Sequence, residues 1–254
     1  MDRELALRVF SCIDNTTLNA TDNEASVEAF CRHTLEMKVE SRTVAAVCVY
    51  PRFVRTAAKM LGGSGIQVAS VAGAFPHGQL DITLKVEEAR RAVGEGADEV
   101  DMVLSRGELL AGHDQIVRSE VAAMKEACQD KTLKVILETG ELPSPALVAK
   151  AAQLAIDGGA DFIKTSTGKI GVGATLEAAE VMLNVVKENV KFNKKRVGFK
   201  AAGGISTPEE ALLYAELAKK IMGDYYVNNQ TFRIGASRLT ERLFSFLTFQ
   251  TANN

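Results

Sequence analysis

The sequence has few of the residues that hold metal ions or build disulfide frameworks. Its four cysteines are Cys12, Cys31, Cys48 and Cys128, and its three histidines are His33, His77 and His113. These residues form no C-x-x-C pair, no zinc-type spacing and no H-E-x-x-H motif. We therefore expect reduced, buried thiols of a cytoplasmic protein and no metal site.

The chain also lacks an excess of charge of one sign and any long apolar run. Its 30 basic and 32 acidic residues nearly cancel, and no stripe of lysine and arginine with interleaved aromatic residues occurs. No apolar run approaches the roughly 18 residues that span a bilayer. The first ten residues, MDRELALRVF, carry charges throughout, which is not typical of a secretory signal. These absences argue against a nucleic-acid partner and against a membrane protein.

A regular alternation of strand and helix patterns runs through the 254 residues, which suit one large α/β domain covering 1–254. Strands are predicted at 11–14, 43–49, 67–72, 99–103, 133–138, 161–165, 197–200 and 231–234. Helices are predicted at 2–9, 23–38, 51–61, 81–94, 108–128 and 175–189, from 207 onward, and after 237. A further helix is predicted to start between Pro143 and Pro145 and to end at Gly158-Gly159. Eight strand–helix units after a leading helix predict a (β/α)8 barrel, the TIM-barrel fold, with an extra N-terminal helix. An open doubly wound sheet is the alternative, but eight uninterrupted units favour closure.

Two lysines interrupt apolar strands. Lys164 follows Phe162 and Ile163 and leads into a turn rich in hydroxyls and glycine, and Lys200 ends the run Val-Gly-Phe-Lys. Lysines are rare in buried strands, because removing an ammonium group from water is costly unless it is paired or neutralised. Both positions therefore suggest chemistry.

Strand parity separates an apolar set of residues from an ionisable one. If Lys164 points into the barrel, the outward set is Ala45, Val47, Val49, Val100, Met102, Val135, Leu137, Ile163, Thr165, Val197 and Phe199. The inward set contains Asp14, Cys48, Glu99, Asp101, Lys134, Glu138, Lys164 and Lys200. Barrel interiors are usually filled by bulky aliphatic side chains. The alternative, a purely structural ion-pair network, applies best to Glu99 and Lys134 near the strand starts.

Neighbouring buried lysines suit amine catalysis. Burial and a second cation both lower the pKa of a lysine, and the free amine can attack a carbonyl to form a Schiff base. Asp101 would transfer protons. Spacing alone does not decide which lysine is the nucleophile, although the apolar neighbours of Lys164 favour it weakly. Lys169 is interpreted as a substrate-binding cation or as a solvated loop lysine.

The loops after the last two strands contain glycine patterns typical of phosphate binding. These are Gly203-Gly204 and Gly235-Ala236-Ser237. Barrels frequently bind phosphate in these two loops through backbone N–H groups. A phosphorylated small molecule is therefore the expected ligand.

Eight sequence blocks resemble the deoxyribose-phosphate aldolases, which are lysine-dependent (class I) aldolases. They are residues 14–19, 48–53, 75–78, 97–101, 137–141, 162–169, 197–204 and 232–237. The resemblance implies reversible cleavage of 2-deoxy-D-ribose 5-phosphate to D-glyceraldehyde 3-phosphate and acetaldehyde, as in deoxyribonucleoside catabolism, with no cofactor. It assigns the Schiff base to Lys164, the perturbation of its pKa to Lys200 and the proton relay to Asp101. The predicted binding residues are Lys169, Gly168, Gly203, Gly204, Gly235, Ser237, Asp14, Cys48 and Thr165. Relatives suggest a homodimer or homotetramer.

Three positions depart from the family pattern. Ala201 stands where many members have proline, and Ser206 stands where several have a basic residue. Some members end in a tyrosine that assists proton transfer, whereas this sequence ends Thr-Ala-Asn-Asn. We expect a looser loop after the seventh strand, altered phosphate affinity and a relay through Asp101 and water. The alternative functions are another Schiff-base aldolase or transaldolase, and a non-catalytic phosphosugar-binding barrel.

Overall fold

Eight parallel strands form a closed barrel in sequence order, which confirms the predicted fold. The computed structural model describes residues 2–193 and 196–251. The strands are β1 (Ile13–Thr16), β2 (Ala46–Val49), β3 (Gln67–Ala72), β4 (Glu99–Val103), β5 (Thr132–Ile136), β6 (Phe162–Lys164), β7 (Gly198–Ala202) and β8 (Phe232–Ala236). Pairing of Asp14 with Gly235 between β1 and β8 closes the ring.

The α-helices surround the barrel, and α1 is the predicted additional N-terminal helix. They are α1 (Arg3–Phe10), α2 (Glu24–Glu36), α3 (Val54–Leu61), α4 (Ile82–Gly94), α5 (Arg106–Leu110), α6 (Asp114–Cys128), α7 (Pro145–Asp157), α8 (Leu176–Asn193), α9 (Pro208–Met222) and α10 (Leu239–Thr251). Within the described ranges, no helix is long and apolar enough to cross a membrane.

Helix starts follow the expected capping chemistry. Thr207 caps α9 through the Glu210 N–H, and the Glu210 side chain bonds back to the Thr207 N–H, while Pro208 occupies the first turn. Asp2 caps α1 in the same manner through the N–H groups of its first turn. These caps satisfy backbone donors that have no partner within the helix.

Several predicted boundaries were wrong. The first strand begins at Ile13 because Ser11 is the C-cap of α1 and its N–H bonds to the Leu7 carbonyl. The second begins three residues later than predicted, at Ala46. The single helix predicted at 108–128 is two helices, because Gly112 between them has φ 78° and cannot continue a helix.

The predicted strand parity is confirmed by the packing. Outward residues such as Val47, Val100, Val135 and Phe199 belong to one apolar core between the barrel and the helices. The one polar outward residue, Thr165, exchanges hydrogen bonds with the backbone of Ala202, which satisfies its hydroxyl. A smaller apolar cluster contains Leu18, Ala46, Cys48, Ala69 and Val71. The four cysteines are buried free thiols.

Candidate active site

Lys164 and Lys200 are register partners on neighbouring strands. Lys164 ends β6 and Lys200 lies in the middle of β7, directly opposite. Lys164 is 4% exposed and Lys200 is 0% exposed. Their Nζ atoms donate hydrogen bonds to the same oxygen, Asp101 Oδ2, at 2.8 and 2.7 Å respectively. The predicted catalytic residues therefore meet at one carboxylate.

A larger network of buried charge surrounds this contact. We call it the charge cluster, and it contains Asp14, Glu99, Asp101, Lys134, Lys164, Lys200 and Arg233. Lys134 contacts Asp101 Oδ1 at 2.9 Å and also pairs with Glu99, as the structural interpretation of that pair predicts. Asp14 accepts from Lys200 and from Arg233 Nη1, the latter at 2.6 Å.

The two lysines differ in their electrostatic environment. Burial lowers the pKa of Lys164 most strongly; Asp101 opposes this, and the charge of Lys200 lowers it further. Burial also disfavours the charge on Lys200, but Asp101 and Asp14 together outweigh burial and raise its pKa. Lys164 is thus the lysine that is ready to lose its proton, and Lys200 remains a cation beside it.

Two carboxylates of the cluster, Asp14 and Asp101, are stabilised in the ionised form, and the pKa of each is lowered. Burial alone would raise the pKa of Asp101, but the contributions of Lys134, Lys164 and Lys200 exceed it and hold that pKa well below its usual range. Asp101 is thus ionised at neutral pH in the resting site, and it contacts both lysines.

Lys164 opens into a pocket of about 170 Å³ at the carboxyl ends of the strands. Of the predicted site residues, those that line it are Lys164, Gly168, Lys169, Gly203, Gly204, Gly235 and Ser237. The glycine-rich loops after β7 and β8 form part of its wall, on the same side as in phosphate-binding barrels. The pocket therefore joins a buried amine to loops suited to an anion.

Glycine residues leave room for close contacts around the pocket and Lys200. A Cβ on Gly235 would lie 2.9 Å from Lys200 Cε, so glycine leaves room for the lysine side chain. Gly203 has φ 93°, and its carbonyl accepts from the Ala174 N–H at 2.9 Å. A Cβ on the facing Gly173 would be 2.2 Å from that carbonyl oxygen. Gly235 thus has a packing role in addition to the predicted binding role.

Glu138 holds the loop after β6. It is fully buried in the left-handed region, at φ 55°, and its carboxylate accepts from the Thr167 N–H at 3.1 Å and from the Thr167 hydroxyl. Thr167 Oγ1 in turn accepts from the Lys169 N–H at 3.1 Å. Lys169 Nζ donates to the Leu18 carbonyl, so this loop is tied to the segment after β1.

Three predicted binding residues do not line the pocket. Thr165 faces the β7 backbone, because its position directly after β6 has the outward parity. Asp14 is 0% exposed within the charge cluster. Cys48 is 1% exposed in the interior apolar cluster, where burial raises the pKa of its thiol to about 11. None of these positions suggests direct contact with a ligand in the pocket.

Two basic residues were missed by the sequence analysis. Arg238 lines the pocket and is exposed, and it directly follows the predicted Gly-Ala-Ser motif. Arg233 is the second residue of β8 and the register partner of Lys200, so extending the parity argument to the eighth strand would have found it. Ser206, where the family pattern has a basic residue, also lines the pocket. The C-terminal residues 252–254, which lack the family's tyrosine, lie outside the described residues.

A closed parallel barrel with ionisable side chains at the carboxyl ends of its strands is the architecture of a barrel enzyme. The sequence matches the family model described as DeoC/LacD family aldolase over residues 8–237. Because this match covers most of the chain, the protein belongs to the DeoC/LacD family of aldolases, and it is an aldolase lyase.

Solved structures agree with this assignment. A protein of Coccidioides immitis, provisionally described as a deoxyribose-phosphate aldolase, is 29% identical with a TM-score of 0.83, over 95% of this chain and 86% of the other. QR15, described as an aldolase, is 30% identical with a TM-score of 0.79, over 97% and 99%. The deoxyribose phosphate aldolase of Aeropyrum pernix, described as having a unique tetrameric structure, is 23% identical with a TM-score of 0.77, over 97% of both chains, and shows likeness of fold.

Proposed function

We propose that the protein catalyses the reversible cleavage of 2-deoxy-D-ribose 5-phosphate to D-glyceraldehyde 3-phosphate and acetaldehyde through a Schiff base on Lys164. The observation that carries this proposal is that Lys164 lines the pocket, has a lowered pKa and lies beside Asp101 and the cationic Lys200. Only an unprotonated amine can attack an aldehyde, so a lowered pKa makes Lys164 a better nucleophile near neutral pH.

The chemistry proceeds in steps that these side chains support. The Lys164 amine adds to the C1 aldehyde of the open-chain sugar, and loss of water from the carbinolamine gives an iminium. Removal of the C3 hydroxyl proton breaks the C2–C3 bond and leaves an enamine on Lys164, while C3 becomes the aldehyde of glyceraldehyde 3-phosphate. Protonation at C2 and hydrolysis then release acetaldehyde and restore the amine. Asp101, which contacts Lys164 at 2.8 Å, is placed to exchange protons with the carbinolamine nitrogen and oxygen through water.

The loop residues that line the pocket suit the phosphate. Lys169 and Arg238 supply positive charge, and Ser237 supplies a hydroxyl, beside the turns at Gly203 and Gly204. Charge-assisted hydrogen bonds to phosphate are stronger than neutral ones. Arg238 offers the basic side chain that position 206 lacks, so the pocket has a cation for the phosphate without a basic residue at 206.

Other expectations remain predictions under this proposal. They are a homodimer or homotetramer, a single domain over 1–254 and a cytoplasmic location. The tetramer described for the Aeropyrum pernix protein motivates the first, and sedimentation velocity on the purified chain measures it.

A direct assay tests the proposed reaction. The purified protein is given 2-deoxyribose 5-phosphate, and the release of acetaldehyde is followed; Lys164→Leu is expected to abolish it. Lys59→Leu, which alters an exposed lysine on α3, is the matched control and should keep the wild-type rate. Cleavage of ketose phosphates only would identify another Schiff-base aldolase, and no cleavage of any phosphosugar would favour a binding protein.

A further inference from the structure

The charge cluster contains more cations than carboxylates. Its three carboxylates are Asp14, Glu99 and Asp101, and its four cations are Lys134, Lys164, Lys200 and Arg233. Each of these residues is at most 5% exposed. When all are ionised, the cluster carries one net positive charge. A dry interior disfavours net charge, so the cluster is most stable when one cation has lost its proton.

The contacts identify the cation that loses its proton. Lys134 contacts the carboxylates of Asp14, Glu99 and Asp101. Its Nζ lies 3.3 Å from Asp14 and 2.9 Å from Asp101. Lys200 and Arg233 each contact two carboxylates, and Lys164 contacts Asp101 alone. An arginine is not deprotonated in proteins, and Lys164 has the fewest carboxylate partners. Charge neutrality therefore identifies Lys164 as the residue that has lost its proton.

Arg233 and Glu99 contribute to this balance from outside the pocket. Arg233 donates to Glu99 Oε1 at 2.7 Å and to Asp14 Oδ1 at 2.6 Å, and its guanidinium carbon lies 5.6 Å from the centre of the Phe162 ring. Neither Arg233 nor Glu99 is among the residues that line the pocket. Substrate contact therefore does not explain their charges.

The titratable groups that act on Lys164 in this account come from six strands of the barrel. Asp101 on β4, Lys200 on β7 and Cys48 on β2 act on it directly. Lys134 on β5, Asp14 on β1 and Arg233 on β8 act on it through Asp101 or through Lys200. Because burial raises the pKa of Cys48 to about 11, its thiol adds no charge at neutral pH.

We propose that Arg233 and Glu99 are positioning residues that decide whether Lys164 is protonated at neutral pH, by fixing the net charge of the buried cluster. The proposal rests on Lys164 being the Schiff-base lysine of the proposed function. Removing Arg233 leaves three carboxylates and three cations, so the cluster is neutral with Lys164 charged. Removing the charge of Glu99 has the opposite effect, because the remaining positive charge repels a proton on Lys164 more strongly.

The test measures how fast each variant forms a borohydride-reducible adduct with acetaldehyde, as a function of pH. Arg233→Met is expected to trap acetaldehyde about tenfold more slowly at pH 7, because loss of one buried positive charge favours the protonated form of Lys164. The trapping rate should recover as pH rises. Arg233→Lys should keep the wild-type profile. Glu99→Gln should move the profile to lower pH, with about tenfold faster trapping on the acid side of the wild-type midpoint. The double variant should return toward the wild-type profile, because it restores the balance of charge.

The opposite signs separate this proposal from a purely structural role. The proposal is wrong if both single variants shift the pH profile in the same direction, or if neither shifts it. A double variant that traps acetaldehyde more slowly than either single variant contradicts it as well. Should Arg233→Met fail to fold, the sign of the Glu99→Gln shift decides the question. Wild-type protein that traps no acetaldehyde at Lys164 contradicts the proposed function instead.

Discussion

Lys164 and Lys200 lie opposite each other on adjacent strands and donate to one shared atom, Asp101 Oδ2. Asp14 gives Lys200 a second carboxylate, whereas Lys164 pairs with Asp101 alone among the residues that the structure describes. This difference in partners makes one lysine a permanent cation and leaves the other able to lose its proton. The proposed catalysis by the Lys164 amine at neutral pH depends on that asymmetry.

Replacing Lys200 with leucine should reduce activity at neutral pH and raise the pH optimum. Without this neighbouring cation the pKa of Lys164 rises, so a larger fraction of its amine is protonated and cannot attack an aldehyde. We expect a loss of about 10- to 1,000-fold in kcat/KM at pH 7, the range that one close charge produces. Activity should recover as pH increases. The pH profile of kcat/KM measures this effect.

The control for this variant is Lys59→Leu, which changes an exposed lysine on α3 and should leave the profile unchanged. A Lys200→Leu enzyme with a normal rate at pH 7 would contradict the electrostatic account of Lys164.

Replacing Arg238 with alanine should weaken recognition of the phosphate. A lost hydrogen bond to a charged group costs about 1.5–3 kcal/mol, so KM for 2-deoxyribose 5-phosphate should rise about 10- to 100-fold. Activity on unphosphorylated 2-deoxyribose should not change, because that substrate offers Arg238 no anion. Steady-state kinetics with both sugars measure the difference.

Two further variants complete the comparison. Arg90→Ala removes an exposed arginine from α4 and should have no effect on either substrate. Ser206→Arg in the Arg238→Ala background should restore part of the lost affinity, because position 206 lines the same pocket. An equal loss with both sugars in Arg238→Ala would argue against a phosphate contact.

The stability of the protein should fall in acid as Asp14 and Asp101 take up protons. Lys134, Lys200 and Arg233 outweigh the effect of burial on Asp14 and hold its pKa below its usual range. The unfolded chain therefore binds more protons than the folded one as pH falls below about 4. The stability contributed by these carboxylates is fully present above the unfolded pKa and is lost progressively below it.

Asp14→Asn should cost about 3–5 kcal/mol in the free energy of unfolding at pH 7, since it removes one partner of a buried ion pair. The cost should shrink toward pH 3. Asp130→Asn, at an exposed position, is the control. Urea unfolding across this pH range measures both variants, and a cost for Asp14→Asn that does not change with pH would contradict the expectation.

Much of this arrangement could be predicted from the sequence because strand parity is a local property. Once Lys164 was assumed to point inward, the alternation placed Asp101, Lys134 and Lys200 on the same side, and the ladders confirm this. The apolar outward residues followed from the same rule. Register between neighbouring strands then brought Lys164 and Lys200 together.

Other features depend on contacts between distant residues and could not be predicted from pattern. The number of carboxylates around each lysine decides which one loses its proton, and that number is set by Asp14, far away in sequence. The contact between Gly235 and the Lys200 side chain also joins residues that are far apart in sequence. The first strand start was wrong because Ser11 caps α1. The second was wrong because apolar and β-branched residues begin at Thr43, before the ladder does at Ala46.

Identification of the lysine that binds substrate tests the account most directly. The protein is incubated with acetaldehyde at pH 7, reduced with borohydride, digested and mapped by mass spectrometry. We predict one two-carbon adduct on Lys164 and an unmodified Lys200, with no adduct in Lys164→Leu. An adduct on Lys200, or no adduct on either lysine, would contradict the central claim.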